Sequence, residues 1–267
     1  MKNKSQIINN IKIAYLDNES KSKITIVFVH GNSQSVKSYN NQLNNTELNT
    51  YRLIALDLPG HGKSASVNNY SIPLFINTLA TFCNTLQLKN YIIVGHSLGG
   101  HFTIQALPKL SHCIGAFIIA ASPVSIPLNI ANAYLPNALM SLLFKKDLTD
   151  KEISLFANSL TTNSSIAKKD IKNTDAKFRE HLATSIENGD MLNEVDILEK
   201  TTIPIAIIVG ENDALINTNY IKTLNIPMLW GKNPLLIKNA LHSPQTDTPK
   251  QLNTILTNFI KNYKSTI

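Results

Sequence analysis

The chain has 267 residues, of which 43% are hydrophobic and 16% are charged, and its formal net charge is +7. This composition is typical of a folded protein with a large core, and it excludes a disordered chain. The positive charge comes from scattered lysines, since Arg52 and Arg179 are the only arginines. Because nucleic-acid sites need clustered basic residues, including arginines, we expect no nucleic-acid binding.

The N-terminal segment and the cysteines indicate the compartment. Residues 1–10 are basic but contain no apolar signal-peptide core, and no apolar run is long enough to span a membrane. Cys83 and Cys113 lie in apolar segments without a C-x-x-C spacing, which predicts buried free thiols and no metal or redox pair. We therefore expect a cytoplasmic protein with no membrane partner.

Strand and helix patterns alternate along the first half of the chain. Two apolar stretches divided by Asn9-Asn10 predict a β-hairpin over residues 7–16. A stripe of apolar residues at helical spacing predicts a helix over Ser71–Leu86, and shorter helices are expected at Val36–Leu43 and from Leu98 to Leu110. Continuous apolar runs predict buried strands at Ile24–Val29, Tyr51–Leu56, Tyr91–Val94 and Ile114–Ala121.

A helical segment interrupts this alternation between residues 123 and 200. Strands resume at Ile205–Val209 and Leu235–Lys238, and a last helix begins at Pro249. The whole pattern predicts an α/β fold with a mostly parallel central sheet and helices on both faces. We expect a core formed by residues 1–122 and 201–267, with residues 123–200 inserted as a helical cap. The helices predicted in this segment are Asn129–Phe144, Asp150–Leu160, Ser165–Ile171 and Ala176–Glu187.

The segment Gly95-His96-Ser97-Leu98-Gly99 carries the clearest chemical signal. It follows a predicted strand, begins a predicted helix and reads G-x-S-x-G, the pattern of a nucleophile elbow. Glycines on both sides let the strand and the helix approach closely, and the helix N-terminus directs free N–H groups at the serine oxygen. Ser97 is therefore the predicted nucleophile.

A serine nucleophile needs a general base, and His242 is the predicted one among seven histidines. It follows the last predicted strand, and loops at the carboxyl ends of parallel strands share one edge of the sheet with the elbow. His96 and His101 flank the elbow and are expected to pack or to line the pocket. His30 and His61 lie in tight turns, where we expect them to hold the loops.

A carboxylate must orient the base, and two candidates follow the strand Ile205–Val209. We favour Asp213 because the last residue of such a loop usually turns back toward the site, and Glu211 is the alternative. The order serine, acid, histidine also fits this kind of fold. The oxyanion donors are predicted to be the backbone N–H groups of Leu98, directly after the nucleophile, and of Asn32, after the first buried strand.

Five short segments fall in one order along the chain: His30-Gly31, Asp57–Ser64, Gly95–Gly100, Gly210–Asp213 and Leu241–Pro244. Together they resemble the α/β-hydrolase superfamily along nearly the whole chain. The resemblance implies the α/β-hydrolase fold and serine-dependent hydrolysis, and it says little about the substrate.

A closer resemblance is to the α/β-hydrolase type of N-acylhomoserine lactonase, through His30–Ser33, Asp57–Ser64, Ser97–His101 and Leu229–Lys232. In those enzymes a cap tyrosine helps to hold the lactone. The segment that looks equivalent here carries Phe156, which lacks the hydroxyl group.

The sequence thus predicts a serine hydrolase that cleaves a small-molecule carboxylic ester through an acyl-enzyme, without a metal or organic cofactor. Leu139, Leu143 and Phe156 are candidates for an apolar acyl pocket in the cap, although such a stripe is also typical of ordinary core. Two alternatives stay open. One is hydrolysis of an acylhomoserine lactone or of an acyl ester on an acidic carrier protein, and the other is a hydrolase-fold binding module with negligible turnover.

Overall fold

A computed structural model describes residues 1–264 and shows an eight-stranded sheet flanked by helices. The strands are β1 (Lys2–Ile8), β2 (Ile11–Asp17), β3 (Thr25–Val29), β4 (Arg52–Leu56), β5 (Tyr91–His96), β6 (Cys113–Ile119), β7 (Ile205–Gly210) and β8 (Leu235–Ile237). Their order in the sheet is β1-β2-β4-β3-β5-β6-β7-β8. Strands β3 to β8 pair in parallel, whereas β1 pairs with β2 and β2 with β4 in antiparallel fashion. The expectation of a mostly parallel sheet is confirmed.

Eleven α-helices occur in the part of the chain that the structure describes. Within residues 1–264, none of them is long and apolar enough to cross a membrane. The helices are α1 (Asn40–Leu43), α2 (Ile72–Thr85), α3 (Leu98–Ala106), α4 (Ile130–Ala133), α5 (Asp150–Leu160), α6 (Ser165–Asn173), α7 (Lys177–Glu187), α8 (Glu194–Lys200), α9 (Thr218–Ile221), α10 (Pro244–Asp247) and α11 (Pro249–Lys264).

Local sequence accounts for the strands and for the hairpin. Every residue of β3, β5 and β7 is buried, as expected where helices cover both faces of a parallel sheet. Asn9 and Asn10 join β1 to β2 with φ angles of 49° and 65°. Asparagine tolerates this left-handed backbone, which a tight two-residue hairpin turn requires at both positions.

The predicted helix Asn129–Phe144 is wrong. The structure has the four-residue helix α4, an extended Tyr134 that bridges Ile216 on another segment, and a 3₁₀ helix over Ala138–Leu143. Pro136 explains the break, because proline disfavours helical backbone at the residue before it and cannot donate to a preceding turn.

Helix α8 is absent from the predicted elements, although its first turn carries a helix signal. Asn193 caps the helix by accepting a hydrogen bond from the N–H of Asp196, and Glu194 and Asp196 place negative charge near the N-terminus. The seven-residue length of this helix left too few apolar positions to show a stripe.

The helices between residues 123 and 200 divide between two apolar clusters. Phe178 and Leu182 of α7 and Leu198 of α8 belong to the main core, which covers the sheet. A second, smaller cluster contains Leu142 of the 3₁₀ helix together with buried residues of α5 and α6. This second cluster is composed of Leu142, Ile153, Phe156, Ala157, Leu160, Ala167 and Ile171.

Candidate active site

Ser97 lies on a sharp turn between β5 and α3. Its φ and ψ angles are 51° and −119°, a backbone conformation that is costly for a residue with a side chain. The main-chain N–H of Ser97 donates to the carbonyl of Ile119 on the neighbouring strand, at 2.8 Å. The turn is therefore held by the sheet, and the side chain is presented at the strand end.

The glycines beside Ser97 are required by close approach. A Cβ atom on Gly99 would lie 2.4 Å from the carbonyl oxygen of His30, and one on Gly95 would lie 2.5 Å from the carbonyl oxygen of Gly99. Backbone atoms cannot move aside as a flexible side chain can. The two glycines thus allow the strand, the turn and the helix to pack together.

His242 connects Ser97 to a carboxylate. Its Nε2 lies 2.9 Å from Ser97 Oγ, and its Nδ1 lies 2.9 Å from Asp213 Oδ2. Asp213 Oδ1 accepts hydrogen bonds from the N–H groups of Leu215 at 2.8 Å and Ile216 at 3.4 Å. These bonds fix the carboxylate, which in turn orients the imidazole, and this is the arrangement that a serine nucleophile needs.

The environment keeps Asp213 ionised. Burial alone raises its pKa, but the charge and hydrogen bond of His242 and the two backbone N–H groups outweigh burial, so the pKa of Asp213 is lowered. Glu211, the alternative acid, is exposed, and its carboxylate accepts a hydrogen bond from the N–H of Asn239 at 3.4 Å. The structure therefore brings Asp213 to the histidine and leaves Glu211 outside.

The two residues predicted to supply oxyanion donors, Leu98 and Asn32, lie beside the same cavity as Ser97. Leu98 is the first residue of α3, so its N–H has no partner within the helix. Asn32 follows β3, and its side chain donates to the carbonyl of Leu143 at 3.0 Å while accepting from Ser33 Oγ at 2.8 Å. Asn32 and Leu98 both line the cavity that contains Ser97, which is where donors to a developing oxyanion must lie.

A narrow, mostly apolar cavity of about 90 Å³ extends from Ser97. Leu143 lines it, as the sequence predicted, whereas Leu139 and Phe156 do not. Both pack in the second cluster, and Phe156 is only 1% exposed, because the side of α5 that carries it faces α6. The apolar lining includes Ile72, Phe102, Val124, Leu143, Phe144 and Leu182, and the polar lining consists of Asn32, Ser97, His101, Gln105, Tyr134 and His242.

Comparison with known proteins places the chain in a family. Residues 20–248 match the model of the Hydrolase_4 family, described as serine aminopeptidase, S33. The chain belongs to this family. It is an α/β-hydrolase, and the expected fold is confirmed.

Individual relatives of this α/β-hydrolase are distant. Ethanol acetyltransferase 1 from Cyberlindnera fabianii is 27% identical over 67% of the chain, which spans only 57% of that relative's length. A putative esterase/lipase 2 from Mycoplasma genitalium is 22% identical, with 98% of this chain and 97% of the relative covered. Among solved structures, a mutant of the N-acyl homoserine lactonase AidH complexed with N-hexanoyl homoserine lactone superposes with a TM-score of 0.94 at 22% identity, covering 99% of both chains.

Three other histidines of the hydrolase hold loops. His30 accepts from the N–H of Leu58, and His61 lies 2.9 Å from the carbonyl of Pro59. His96 lies between Gln34 and the carbonyl of His242, at 2.9 and 2.8 Å. Burial lowers the pKa of all three, that of His96 to about 3 and that of His61 well below its usual value. They are therefore neutral at pH 7, and their contacts are structural.

Sequence reasoning missed two polar residues near the cavity, Tyr134 and Glu194. Tyr134 lay within the helix that Pro136 breaks, and Glu194 lay in a stretch without an assigned element. A usable signal was the pair His101 and Gln105, which are one turn apart on α3 and both contact Glu194.

Residues 1–264 contain no group of three histidine, cysteine or acidic side chains placed to hold a metal ion. Cys83 and Cys113 are buried free thiols, and burial raises the pKa of each to about 12.

Proposed function

We propose that this α/β-hydrolase cleaves carboxylic esters through the triad of Ser97, His242 and Asp213. The observation that carries the proposal is the unbroken hydrogen-bond chain from Ser97 Oγ to His242 and on to Asp213, with both contacts at 2.9 Å. It begins at a serine whose backbone is held in a strained turn and ends at a carboxylate fixed by two N–H groups. Acyl transfer needs a nucleophile, a base and an orienting acid in this arrangement.

In the proposed reaction, His242 removes the proton of Ser97 as the hydroxyl oxygen attacks the acyl carbon. The N–H groups of Asn32 and Leu98 hold the oxyanion, and each such donor commonly contributes about 3 kcal/mol. His242 then gives the proton to the departing alcohol, which leaves an acyl group on Ser97. Water activated by His242 releases the acid, while Asp213 stabilises the imidazolium.

The lining of the cavity favours an apolar acyl group as the part of the substrate that binds inside the protein. Its walls are mostly aliphatic and aromatic, and Leu143 and Phe144 from the 139–144 segment form part of them. We propose that residues 123–200 act as a cap over the site. The hydrogen bond from the Asn32 side chain to the carbonyl of Leu143 supports this, since it joins the segment to the oxyanion loop.

A lactonase is the second candidate. A lactone is a cyclic ester, so the same triad would open it without any further group. What favours this candidate is the fold likeness to the N-acyl homoserine lactonase over 99% of both chains. The esterase remains our first choice because a full-length relative is named as an esterase/lipase and because the site itself needs only an ester carbonyl.

A chain-length series of p-nitrophenyl esters, assayed beside a panel of acyl lactones, tests the proposal. We expect ester turnover that disappears in the Ser97→Ala variant. Turnover of lactones without any ester activity would replace the first candidate by the second. A folded protein that turns over neither class would contradict both and would favour a binding module.

A further inference from the structure

A carboxylate outside the triad joins the proposed cap to the loop that carries the proposed base. Asp247 is the last residue of α10, and its two oxygens accept from different segments of the chain. Oδ1 accepts from the N–H of Thr162 at 2.8 Å, and Oδ2 accepts from the N–H of Leu241 at 2.9 Å. A main-chain N–H can only donate, so the direction of both bonds is fixed. Leu241 directly precedes His242.

The Oδ1 atom of Asp247 holds the loop between α5 and α6. Besides the N–H of Thr162, it accepts from the hydroxyl groups of Thr161 at 2.6 Å and of Thr162 at 2.9 Å. Thr161 directly follows α5 and is buried, and its hydroxyl oxygen accepts from the N–H of Asn163 at 3.3 Å. This end of α5 is therefore attached to the loop after β8 by three hydrogen bonds to one oxygen.

The Oδ2 atom of Asp247 fixes the main chain on the N-terminal side of His242. On the C-terminal side, the carbonyl of His242 accepts from Nε2 of His96, on β5, at 2.8 Å. The imidazole ring itself is held at Nδ1 by Asp213, and the N–H of Leu241 is held by Asp247. Three contacts from three different parts of the fold thus define where the Nε2 atom of His242 lies.

The position of this Nε2 atom matters for the rate of the proposed reaction. It lies 2.9 Å from Ser97 Oγ, within the distance at which a base can remove the hydroxyl proton. A displacement of about 1 Å at a catalytic group can lower a rate about 100-fold. Leu241 is only partly buried, so its main chain depends on hydrogen bonds as well as on packing for its place.

We propose that Asp247 is a positioning residue, which holds the main chain before His242 and so keeps Nε2 of His242 at hydrogen-bond distance from Ser97. The inference rests on the proposed ester hydrolysis. Asp247 does not line the cavity that contains Ser97, so its effect on the reaction passes through the N–H of Leu241. Because the same carboxylate holds the loop after α5, it also sets the position of the proposed cap relative to the base.

Variants that remove different bonds of Asp247 test this inference. Asp247→Ala removes both acceptors, and we expect kcat per active site to fall about 100-fold. KM should stay within about threefold of the wild-type value, because the chemical step is affected and ester binding is not. Active sites are counted by titration with a fluorophosphonate, so unfolded molecules do not contribute to the measured loss.

The double variant Thr161→Val/Thr162→Val is the matched control. It removes two of the three bonds to Oδ1 and leaves the bond from Leu241 to Oδ2 in place. We expect its kcat per active site to stay within about threefold of the wild-type value, the range of an ordinary substitution away from the reacting groups. A loss as large as that in Asp247→Ala would make Asp247 a link to the cap alone and would overturn the inference.

Amide hydrogen exchange keeps the test decisive if Asp247→Ala does not fold. Asp247→Asn retains one acceptor oxygen, which can pair with the N–H of Leu241 or with that of Thr162 but not with both. Exchange of these two amides, followed in protein with isotope-labelled leucine and threonine, shows which one has lost its protection. We expect kcat to fall in each variant that loses protection at Leu241, and to stay near the wild-type value where only Thr162 loses it.

The outcomes separate this inference from the proposed function. A variant with an unprotected Leu241 amide and wild-type kcat per active site would overturn the positioning role, while ester hydrolysis by the wild-type protein would stand. A folded wild-type protein that hydrolyses none of the p-nitrophenyl esters contradicts the proposed function itself.

Discussion

Asp213 Oδ2 lies 2.9 Å from His242 Nδ1, and both residues are at least nine-tenths buried. The contact joins the loop after β7 to the loop after β8, so it depends on the parallel pairing of these strands. Its geometry distinguishes Asp213 from Glu211, which lies two residues earlier and is exposed.

Substitution of each carboxylate tests which one orients the base. Asp213→Asn should lower kcat about 10³- to 10⁴-fold, because an amide cannot stabilise the imidazolium and favours the wrong tautomer. Glu211→Gln should keep kcat within about twofold, since its exposed carboxylate contacts the N–H of Asn239 and lies away from His242. Steady-state ester kinetics measure both, and a larger loss in Glu211→Gln would show that the acid is misassigned.

Gly210 allows the loop that carries Asp213 to pack closely against the loop that carries His242. A Cβ atom there would lie 1.9 Å from the carbonyl oxygen of Leu241 and 2.5 Å from that of Ala240, so Gly210→Ala must displace the segment just before His242. We expect loss of activity with at least part of the fold retained by circular dichroism. Gly189→Ala is the control. Apart from its chain neighbours, no atom of residues 1–264 would lie within 4 Å of the added Cβ, so the positive φ of 78° is what opposes the change. It should cost about 1 kcal/mol and keep kcat.

Arg179 is almost fully buried and donates from three nitrogens, to the carbonyls of Lys145 and Lys146 and to Ser33 Oγ, at 2.8, 2.6 and 3.0 Å. Arg179→Met should reduce the free energy of unfolding by about 2–4 kcal/mol, because these acceptors lose their donor. It should also lower kcat, since Ser33 holds the side chain of Asn32, the proposed oxyanion residue. Urea unfolding and ester kinetics measure the two effects.

Lys177→Met is the matched control for Arg179. Lys177 lies on the same helix, α7, but is exposed. Its variant should unfold at the same urea concentration as the wild type. An Arg179→Met protein with wild-type stability would show that the three hydrogen bonds contribute nothing net.

The burial of His61 predicts that the free energy of unfolding decreases at acidic pH. Burial is the largest cause, and the neighbouring His30 the next, of a pKa for His61 that lies well below its ordinary value of about 6.5. The unfolded chain takes up a proton below about pH 6.5 while the native state does not, so stability is fully present above that pH and is lost as the pH falls. The slope is about 1.4 kcal/mol per pH unit for one histidine. His61→Asn should make it shallower between about pH 5 and 6.5.

Urea unfolding at several pH values measures this slope. His112→Asn provides the control, because His112 is exposed and its φ of 63° suits asparagine. It should keep the wild-type slope. Equal slopes for His61→Asn and the wild type would contradict a neutral, buried His61.

Leu143 and Leu139 test the extent of the acyl pocket. Both belong to the same 3₁₀ helix and both pack against the second cluster, but Leu143 also lines the cavity, whereas Leu139 does not. Leu143→Ala enlarges the cavity, so we expect the preferred acyl chain to lengthen by one or more carbons, about 0.8 kcal/mol of binding for each added methylene group. Leu139→Ala should keep the preferred length, and a shift in that variant alone would place the pocket elsewhere.

The sheet, and the proximity of Ser97, Asp213 and His242, could be predicted from the sequence because both depend on local patterns. Ser97, Asp213 and His242 each follow an apolar run that ends in a short polar loop, and parallel strands bring such loops to one edge. The helix Asp150–Leu160 was also predicted with its observed bounds, since Thr149 and Glu152 form a capping box before an apolar stripe.

The rest of the site depends on packing between distant segments. The apolar side of α5 faces α6. The apolar spacing on which Phe156 was predicted to line the pocket therefore reflects packing within the second cluster. The contacts of His101 with Tyr134 and Glu194 join α3, the segment after α4 and the start of α8, at sequence separations of 33 and 93 residues. Neither spacing nor periodicity could have indicated those contacts, because no single element carries them.

The assignment of Ser97 as the nucleophile has one direct test. The protein is treated with a fluorophosphonate, its intact mass is measured, and the modified peptide is mapped in the wild type and in Ser97→Ala. The proposed function predicts one adduct, on Ser97, which is absent from the variant. An unmodified wild-type protein, or a Ser97→Ala variant modified to the same extent, would contradict it.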